Sequence, residues 1–403
     1  MNILVIGNGF DLAHKLPTKY TDFLEFINVI KQIVGVKSSA DIQYISWGNI
    51  HPEIKMLIER NMGNAEENLP LQDEEWKKLL DDNIWVDYFL KNTMYLKYNW
   101  IDFEKEIGKV IHSLEVDMFE AKKEYELDDN MDELSNVYLK RLYSKYSRTT
   151  RSASALTNTY YGTVTFRQIR DKVLDDLNRL IRALELYLSD YVEVIKIQKL
   201  SPDIKKLINN NEDEVINKIL SFNYTSTYNR AYGCEKFILD EDIDYIHGKA
   251  KGINTIESNN MVLGIQESLS EEKKNENVEF IAFKKFYQRI YKETGCKYKE
   301  WVEKIIEDEN KPWIINGKDC SKDYIHNVYI FGHSLDVTDG DILRDFIRHN
   351  NVRTTIFYRN KEQHGQQIAN LVKVIGQDEL IRRTGGKTKT IEFRLQQEMI
   401  EVK

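Results

Sequence analysis

Cysteine is scarce in this chain: 403 residues hold only Cys234, Cys296 and Cys320, scattered with no zinc-ligand spacing. So few thiols suit a reducing compartment and supply no disulfide framework. Long apolar runs are missing as well. No uninterrupted stretch approaches the ~20 residues a membrane helix needs. Residues 2–6 are too short for the apolar part of a secretory signal and follow no basic segment, so a cytoplasmic location is expected. Basic charge is not in excess: 57 Lys and Arg stand against 65 Asp and Glu, a net charge of −8. An acidic protein repels phosphate backbones in bulk, and no basic stripe with interleaved aromatics offsets this, so nucleic acid becomes a minor reading. No His-Glu-x-x-His pair occurs, and Gly332-His333-Ser334 runs into Leu335-Asp336 instead of completing Gly-x-Ser-x-Gly. A zinc hydrolase and an α/β-hydrolase are thereby set aside, and no metal is expected. Gly385-Gly386-Lys387-Thr388 has the ending of a P-loop, but Ile381 stands at the first glycine position and residues 389–393 read as a strand.

What is present is a globular composition, 41% hydrophobic and 30% charged, with length enough for one large domain carrying an insertion. Residues 3–6 form a short apolar run that ends in Gly7-Asn8-Gly9, the pattern of a buried strand and a tight turn. Helical spacing follows from about Thr18, with Phe23, Leu24, Ile27 and Ile30 on one face. From about 50 to 215 the texture is long, charged and amphipathic. Ile169, Val173, Leu177, Leu180, Ile181, Leu184 and Leu188 recur at steps of three or four, and Trp100, Phe103, Ile107, Ile111 and Leu114 do the same. Residues 147–161 read as a loop and the acidic stretches within 122–134 as solvated faces. Strand signals return at 216–222, 243–246, 261–265, 328–331 and 354–358, with helical stretches between several of them. Short apolar strands alternating with helices predict an α/β fold, a doubly wound, mostly parallel Rossmann-like sheet. Its expected parts are 1–49 plus 216–403 as a nucleotide-binding domain and 50–215 as a large helical insertion.

Four strand ends carry candidate chemistry. Gly7-Asn8-Gly9-Phe10-Asp11 lies between strand and helix, where backbone N–H groups and the helix terminus can hold a phosphate. Leu12 replaces the third glycine of the dehydrogenase fingerprint and no ribose-binding acid follows, which disfavours a dehydrogenase; the alternative is a structural turn with Asp11 as helix cap. Asn223, in Phe222-Asn223-Tyr224-Thr225, would present an amide that donates and accepts at once, or would merely cap the next helix. His247, before Gly248, titrates near neutrality and would serve as a proton acceptor beside an exposed Asn223, unless it is a structural histidine. Gly332-His333-Ser334-Leu335-Asp336 offers close backbone approach at Gly332 and a hydroxyl at Ser334 for ribose or phosphate. A polar turn with Asp336 capping the helix near 340 explains His333 and Asp336 equally well.

In order, Gly7-Asn8-Gly9-Phe10-Asp11-Leu12-Ala13-His14, Leu16-Pro17-Thr18-Lys19-Tyr20, Trp100-Ile101-Asp102-Phe103-Glu104, Phe222-Asn223-Tyr224-Thr225, Ile246-His247-Gly248, Lys285-Phe286-Tyr287-Gln288-Arg289-Ile290 and Phe331-Gly332-His333-Ser334-Leu335-Asp336 resemble the AbiH family of phage abortive-infection proteins. The same order is similar to sirtuin-like NAD-consuming domains. That resemblance implies a dinucleotide loop at Gly7–Gly9, a ribose contact at Asn223, a catalytic histidine at His247 and a cofactor contact at Gly332 and Ser334. The chain departs from it at Asp11, where serine is usual, at Thr225, where an aspartate is expected, and in lacking a four-cysteine zinc module. The implied function is an anti-phage effector that hydrolyses NAD, as substrate, at the nicotinamide–ribose bond. Asn223 and His247 would be catalytic, and Gly7, Asn8, Gly9, Phe10, Asp11, Thr225, Gly332, His333, Ser334 and Asp336 would bind the nucleotide. The helical insertion would roof the site or form an assembly surface for a second copy or a defence partner; the roles of Trp100, Glu104 and Lys285 stay open. A non-catalytic nucleotide sensor and a nucleic-acid-targeting toxin are the competing readings.

Overall fold

The computed structural model describes residues 1–35, 43–63, 74–91, 101–125, 166–209, 215–265, 279–311, 314–315, 318–319, 324–387 and 389–402. The expected loop at 147–161, Trp100, Cys320 and most of the acidic 122–134 stretch lie outside these. The chain divides into two units. One comprises Met1–Thr18, Ile195–Lys249 and Glu293–Lys403; the other comprises Lys19–Val194 and Ala250–Lys292. The expected boundaries near 49 and 215 thus fall at 18 and 194, and the helical unit also takes 250–292.

In the first unit the strands are β1 (Asn2–Ile6), β2 (Lys199–Leu200), β3 (Lys218–Ser221), β4 (Ile243–Tyr245), β5 (Ile314–Ile315) and β6 (Lys318–Asp319). They continue with β7 (His326–Phe331), β8 (Val352–Tyr358), β9 (Ile391–Leu395) and β10 (Ile400–Glu401). Six of them form one sheet in the order β4-β3-β1-β7-β8-β9, every neighbouring pair parallel. Ranked along the chain this is 3-2-1-4-5-6, the doubly wound Rossmann-like order, whose direction of travel reverses between β1 and β7. The period of two explains the layering. Ile3 and Val5 enter one core with Trp301, Ile305, Phe346 and Leu371. Leu4 and Ile6 enter the other with Phe10, Ile204, Tyr228 and Tyr232. Both faces are therefore covered, which is why the strand reads as a continuous apolar run.

Among its described residues the second unit is mostly helical up to Val194. Helix α1 (Asn8–Ala13) belongs to the first unit; α2 (Tyr20–Val34) opens the second, its entry held by the Lys19 backbone N–H donating to Asp22 at 3.0 Å. A helix over Phe166–Leu186 runs on into a π-helical turn at Tyr187–Val192, and Val173, Leu177, Leu180, Ile181, Leu184 and Leu188 are buried along it. Phe103, Ile107, Ile111 and Leu114 line the buried face of Phe103–Tyr125. Glu104 on that helix pairs with the buried Lys285 at 2.7 Å, which joins two of the singled-out segments by a partly buried ion pair.

The strand expected at 261–265 does not form. Met261, Val262 and Leu263 are fully buried, yet only Ile265 makes a bridge, to Lys284. Side chains satisfy the backbone instead of a ladder. Leu263 N–H donates to the Gln288 side chain at 3.1 Å, and Lys292 Nζ donates to the Met261 carbonyl at 2.6 Å. An apolar run marks burial, not the partner of its backbone. Among the described residues no helix is long and apolar enough to cross a membrane.

Where β1 and β7 end, their following loops touch backbone to backbone. Gly9 N–H donates to the Gly332 carbonyl at 2.8 Å, and Gly332 has φ +68°. A Cβ on Gly332 would lie 2.1 Å from the Phe10 nitrogen. Gly332→Ala should therefore lose more than about 2 kcal/mol, from strain and overpacking together. Gly365, exposed within the helix Lys361–Ile375, has nothing within 4 Å of its Cβ direction. Gly365→Ala should gain about 1 kcal/mol. Urea midpoints of the two variants check the contrast, and shifts of the same sign would refute it.

Candidate functional site

The register brings the candidate residues to one edge. Ile6 is level with Ser221 and Phe331, and Ser221 with Tyr245. The ladder runs one residue further, with Gly7 N–H to the Phe331 carbonyl, Phe222 N–H to that of Ile6 and Ile246 N–H to that of Ser221. One step beyond stand Asn8, Asn223, His247 and His333, at the carboxyl ends of β1, β3, β4 and β7. Carboxyl ends of parallel strands are where ligands of such sheets bind, because the backbone leaves the sheet there and side chains converge.

Two polar clusters occupy this edge. In the first, Asn223 Nδ2 donates to the Gly7 carbonyl at 3.0 Å and to Asp11 Oδ1 at 3.1 Å. Thr225 Oγ1 donates to Asp11 Oδ2 at 2.6 Å, and Thr227 Oγ1 to Thr225 Oγ1 at 3.0 Å. Asp11 is therefore no helix cap. Gly7 holds the N-cap position of α1, and Asp11 lies inside the helix, 1% exposed. Nor does Asn223 cap the next helix, Thr227–Tyr232, whose N-cap is Ser226. Asn223 is 5% exposed rather than open to solvent, because both amide hydrogens are drawn towards the first loop.

In the second cluster, His247 Nε2 lies 3.4 Å from Asp339 Oδ1 and His333 Nε2 lies 3.8 Å from Asp339 Oδ2. The Phe222 ring stands against both imidazoles, at 5.8 Å and 4.4 Å between centroids. His333 Nδ1 accepts from Leu335 N–H at 2.9 Å, so a neutral ring carries its proton on Nε2, towards Asp339. His247 is 5% exposed and packed against Phe222. The clusters meet at Gly7, where a Cβ would lie 2.8 Å from His333 Cδ2.

The remaining candidates separate. Asn8 is exposed and its side chain accepts from Thr18. Phe10 is a core residue beside Phe331, and its N–H donates to the Gly7 carbonyl. With Gly7 and Gly9 N–H also bonded to Phe331 and Gly332, three of the loop's donors are used within the fold. The glycine pattern at Gly7, Gly9 and Gly332 thus serves the contact between loops. Ser334 is exposed, its carbonyl held by Asn370 at 2.9 Å. Asp336 accepts from Thr338 N–H at 3.1 Å and caps the short turn Val337–Asp339; the helix expected near 340, Gly340–Ile347, has Asp339 and not Asp336 at its N-cap.

A family model described as "Bacteriophage abortive infection AbiH" matches residues 3–358. The chain belongs to the AbiH family. No curated protein matches it. The match takes in all of the strand-end segments just described, including the Gly332–Asp336 loop, so the family assignment and the row of residues on the sheet edge concern the same part of the AbiH chain. Asp339, which faces both histidines, has no sequence signal of its own; Asp336 and Asp341 beside it are equally acidic. Thr227 was equally silent. Among the described residues no group of three His, Cys, Asp or Glu side chains is arranged to hold a metal ion.

His14, in the opening AbiH segment, is fully buried. Its Nδ1 lies 2.7 Å from the Phe10 carbonyl and its Nε2 2.9 Å from the Tyr232 hydroxyl, which in turn accepts Ser201 N–H. The carbonyl can only accept, so the proton sits on Nδ1 and Tyr232 donates to Nε2. Burial pushes the pKa of His14 down to about 4. The unfolded chain, with a histidine near 6.5, binds the proton first as pH falls. Stability supplied by neutral His14 is thus complete above pH 6.5 and lost between 6.5 and 4, about 2–3 kcal/mol by pH 4.5. Urea midpoints at pH 7.5 and 4.5 should fall further for the natural protein than for His14→Gln. Equal falls would remove His14 from the acid response.

Proposed function

We propose that this AbiH protein is an abortive-infection effector that hydrolyses an NAD-type nucleotide at its nicotinamide–ribose bond, in a sirtuin-like site at the carboxyl edge of the sheet. The observation that carries the reading is the placement of Asn223 and His247 at the ends of neighbouring strands, with His247 backed by the Asp339 carboxylate at 3.4 Å. A carboxylate beside an imidazole fixes the orientation of its ring, which is what a general base requires.

The chemistry suits a single base. Water oxygen bonds to the ribose anomeric carbon while the carbon–nitrogen bond breaks, and its electron pair passes to the pyridinium nitrogen. Nicotinamide leaves neutral and needs no acid. The transition state resembles the oxocarbenium ion of glycosidases. His247 takes the proton of the attacking water, and the Asn223 amide oxygen accepts from that water or from a ribose hydroxyl. His333 closes the site on the side of β7 and Phe222 lies between the two imidazoles, while the exposed Ser334 faces the rest of the nucleotide. Depletion of a shared dinucleotide would halt the infected cell.

The sensor reading keeps one specific support: His247, the proposed base, is buried and packed against Phe222. Nicotinamide release from NAD by the purified protein, alone and with extract of phage-challenged cells, separates the two. The enzyme reading expects release, reduced about 10²–10⁴-fold in His247→Ala. Equal release by that variant would discard His247 as the base. Binding of NAD with no release under either condition would replace the enzyme by the sensor.

A further inference from the structure

The two positions at which the chain departs from the sirtuin-like pattern, Asp11 and Thr225, are hydrogen-bond partners of one another and of the Asn223 cluster. We propose that Asp11 is the positioning residue of the site: its buried carboxylate holds the Asn223 amide in one orientation, with the nitrogen turned inwards and the oxygen offered to the ligand.

The orientation follows from counting donors. The Gly7 carbonyl can only accept, so Asn223 must turn Nδ2 towards it. Thr227 donates its hydroxyl proton to Thr225, which takes up one side of the Thr225 oxygen and leaves the Thr225 proton for Asp11 Oδ2. Asp11 is thereby an acceptor at Oδ2 and accepts the second Asn223 hydrogen at Oδ1. A flipped amide would set its oxygen against the Gly7 carbonyl and the Asp11 carboxylate at about 3 Å from each. Three acceptors with no proton between them are strongly disfavoured in a buried site. With both amide hydrogens spent, the amide oxygen takes no hydrogen bond among the described residues. Asn223 therefore meets a ligand as an acceptor only. The group it receives must be a donor, a hydroxyl or a water, and not a phosphate or carboxylate oxygen.

The orientation itself is independent of any reaction; only its effect on turnover rests on the nucleotide-hydrolase reading. The test is side-chain amide exchange. In protein labelled with ¹⁵N-asparagine, the Asn223 NH₂ signals are identified by their absence in Asn223→Ala. In the natural protein they should exchange slowly with D₂O. Asp11→Leu, close in size and unable to accept, should speed exchange at least tenfold. Asp11→Asn, which keeps an oxygen for one amide hydrogen, should retain most of the protection. Asp11→Ser is the substitute truncation if the leucine variant does not fold. Nicotinamide release should follow the same order, with kcat falling at least tenfold in the truncation and KM nearly unchanged. Equal protection in the natural protein and the truncation overturns the proposal, whatever turnover does. Lost protection with unchanged kcat also overturns it, since Asn223 would then be held without consequence. If the natural protein releases no nicotinamide, the hydrolase reading fails, and the exchange rates alone decide whether Asp11 sets the amide.

Discussion

At the centre of the sheet, the loop after β1 and the loop after β7 approach until Gly9 N–H bonds the Gly332 carbonyl, with no room for a Cβ on either residue. This contact lies at the one place where the strand order reverses. In a dinucleotide fold that crevice is left open for a pyrophosphate. Here protein backbone fills part of it. Closing the crevice turns the Gly7 carbonyl towards β3, where it receives the Asn223 amide, and brings Gly7 beside the His333 ring. Each polar cluster on the edge is anchored to this seam at one point.

Burial then decides what the polar groups can do. Asp11, Asn223, His247 and His333 are all at most 5% exposed, and buried polar groups are tolerated when their hydrogen-bonding capacity is met. The first cluster meets it with a chain of hydroxyl and amide donors ending on one carboxylate. The second sets two imidazoles against the two oxygens of Asp339. The helical unit follows the same rule. Asp176, fully buried, receives the Ile84 N–H, Lys172 and Arg179, and Glu185, also fully buried, receives Arg182, Asn254 and Asn259. Such groups fix one arrangement of their neighbours, because a displaced partner leaves a charge out of water without compensation.

Much of the fold was legible because it rests on local regularities. The apolar runs at β1, β3, β4, β7 and β8 gave the strands, and the three-and-four spacing from Val173 to Leu188 gave the long helix, since both periods follow from backbone geometry. The run at 261–265 failed for the same reason that the others succeeded. Its composition records burial, and nothing within it shows that Gln288 and Lys292 would take the place of a neighbouring strand. The division into two units at 18, 194, 249 and 292 depends on contacts between segments far apart in the chain, which local patterns do not show.

By itself the sequence determined that strands ending in Gly7, Phe222, Ile246 and Phe331 deliver Asn223, His247 and His333 to the carboxyl side of a parallel sheet, because residue type and strand period are local properties. It also carried the AbiH family, through the order of its short segments. Only the tertiary structure decided which groups face one another. Asp339 is one acid among several in its stretch until β4 and β7 bring two histidines to its oxygens. Asp11 passes for a helix cap until β3 places Asn223 and Thr225 against it, 212 and 214 residues away along the chain. Pairings over such separations are set by which strands lie side by side in the sheet, and no local pattern encodes that order.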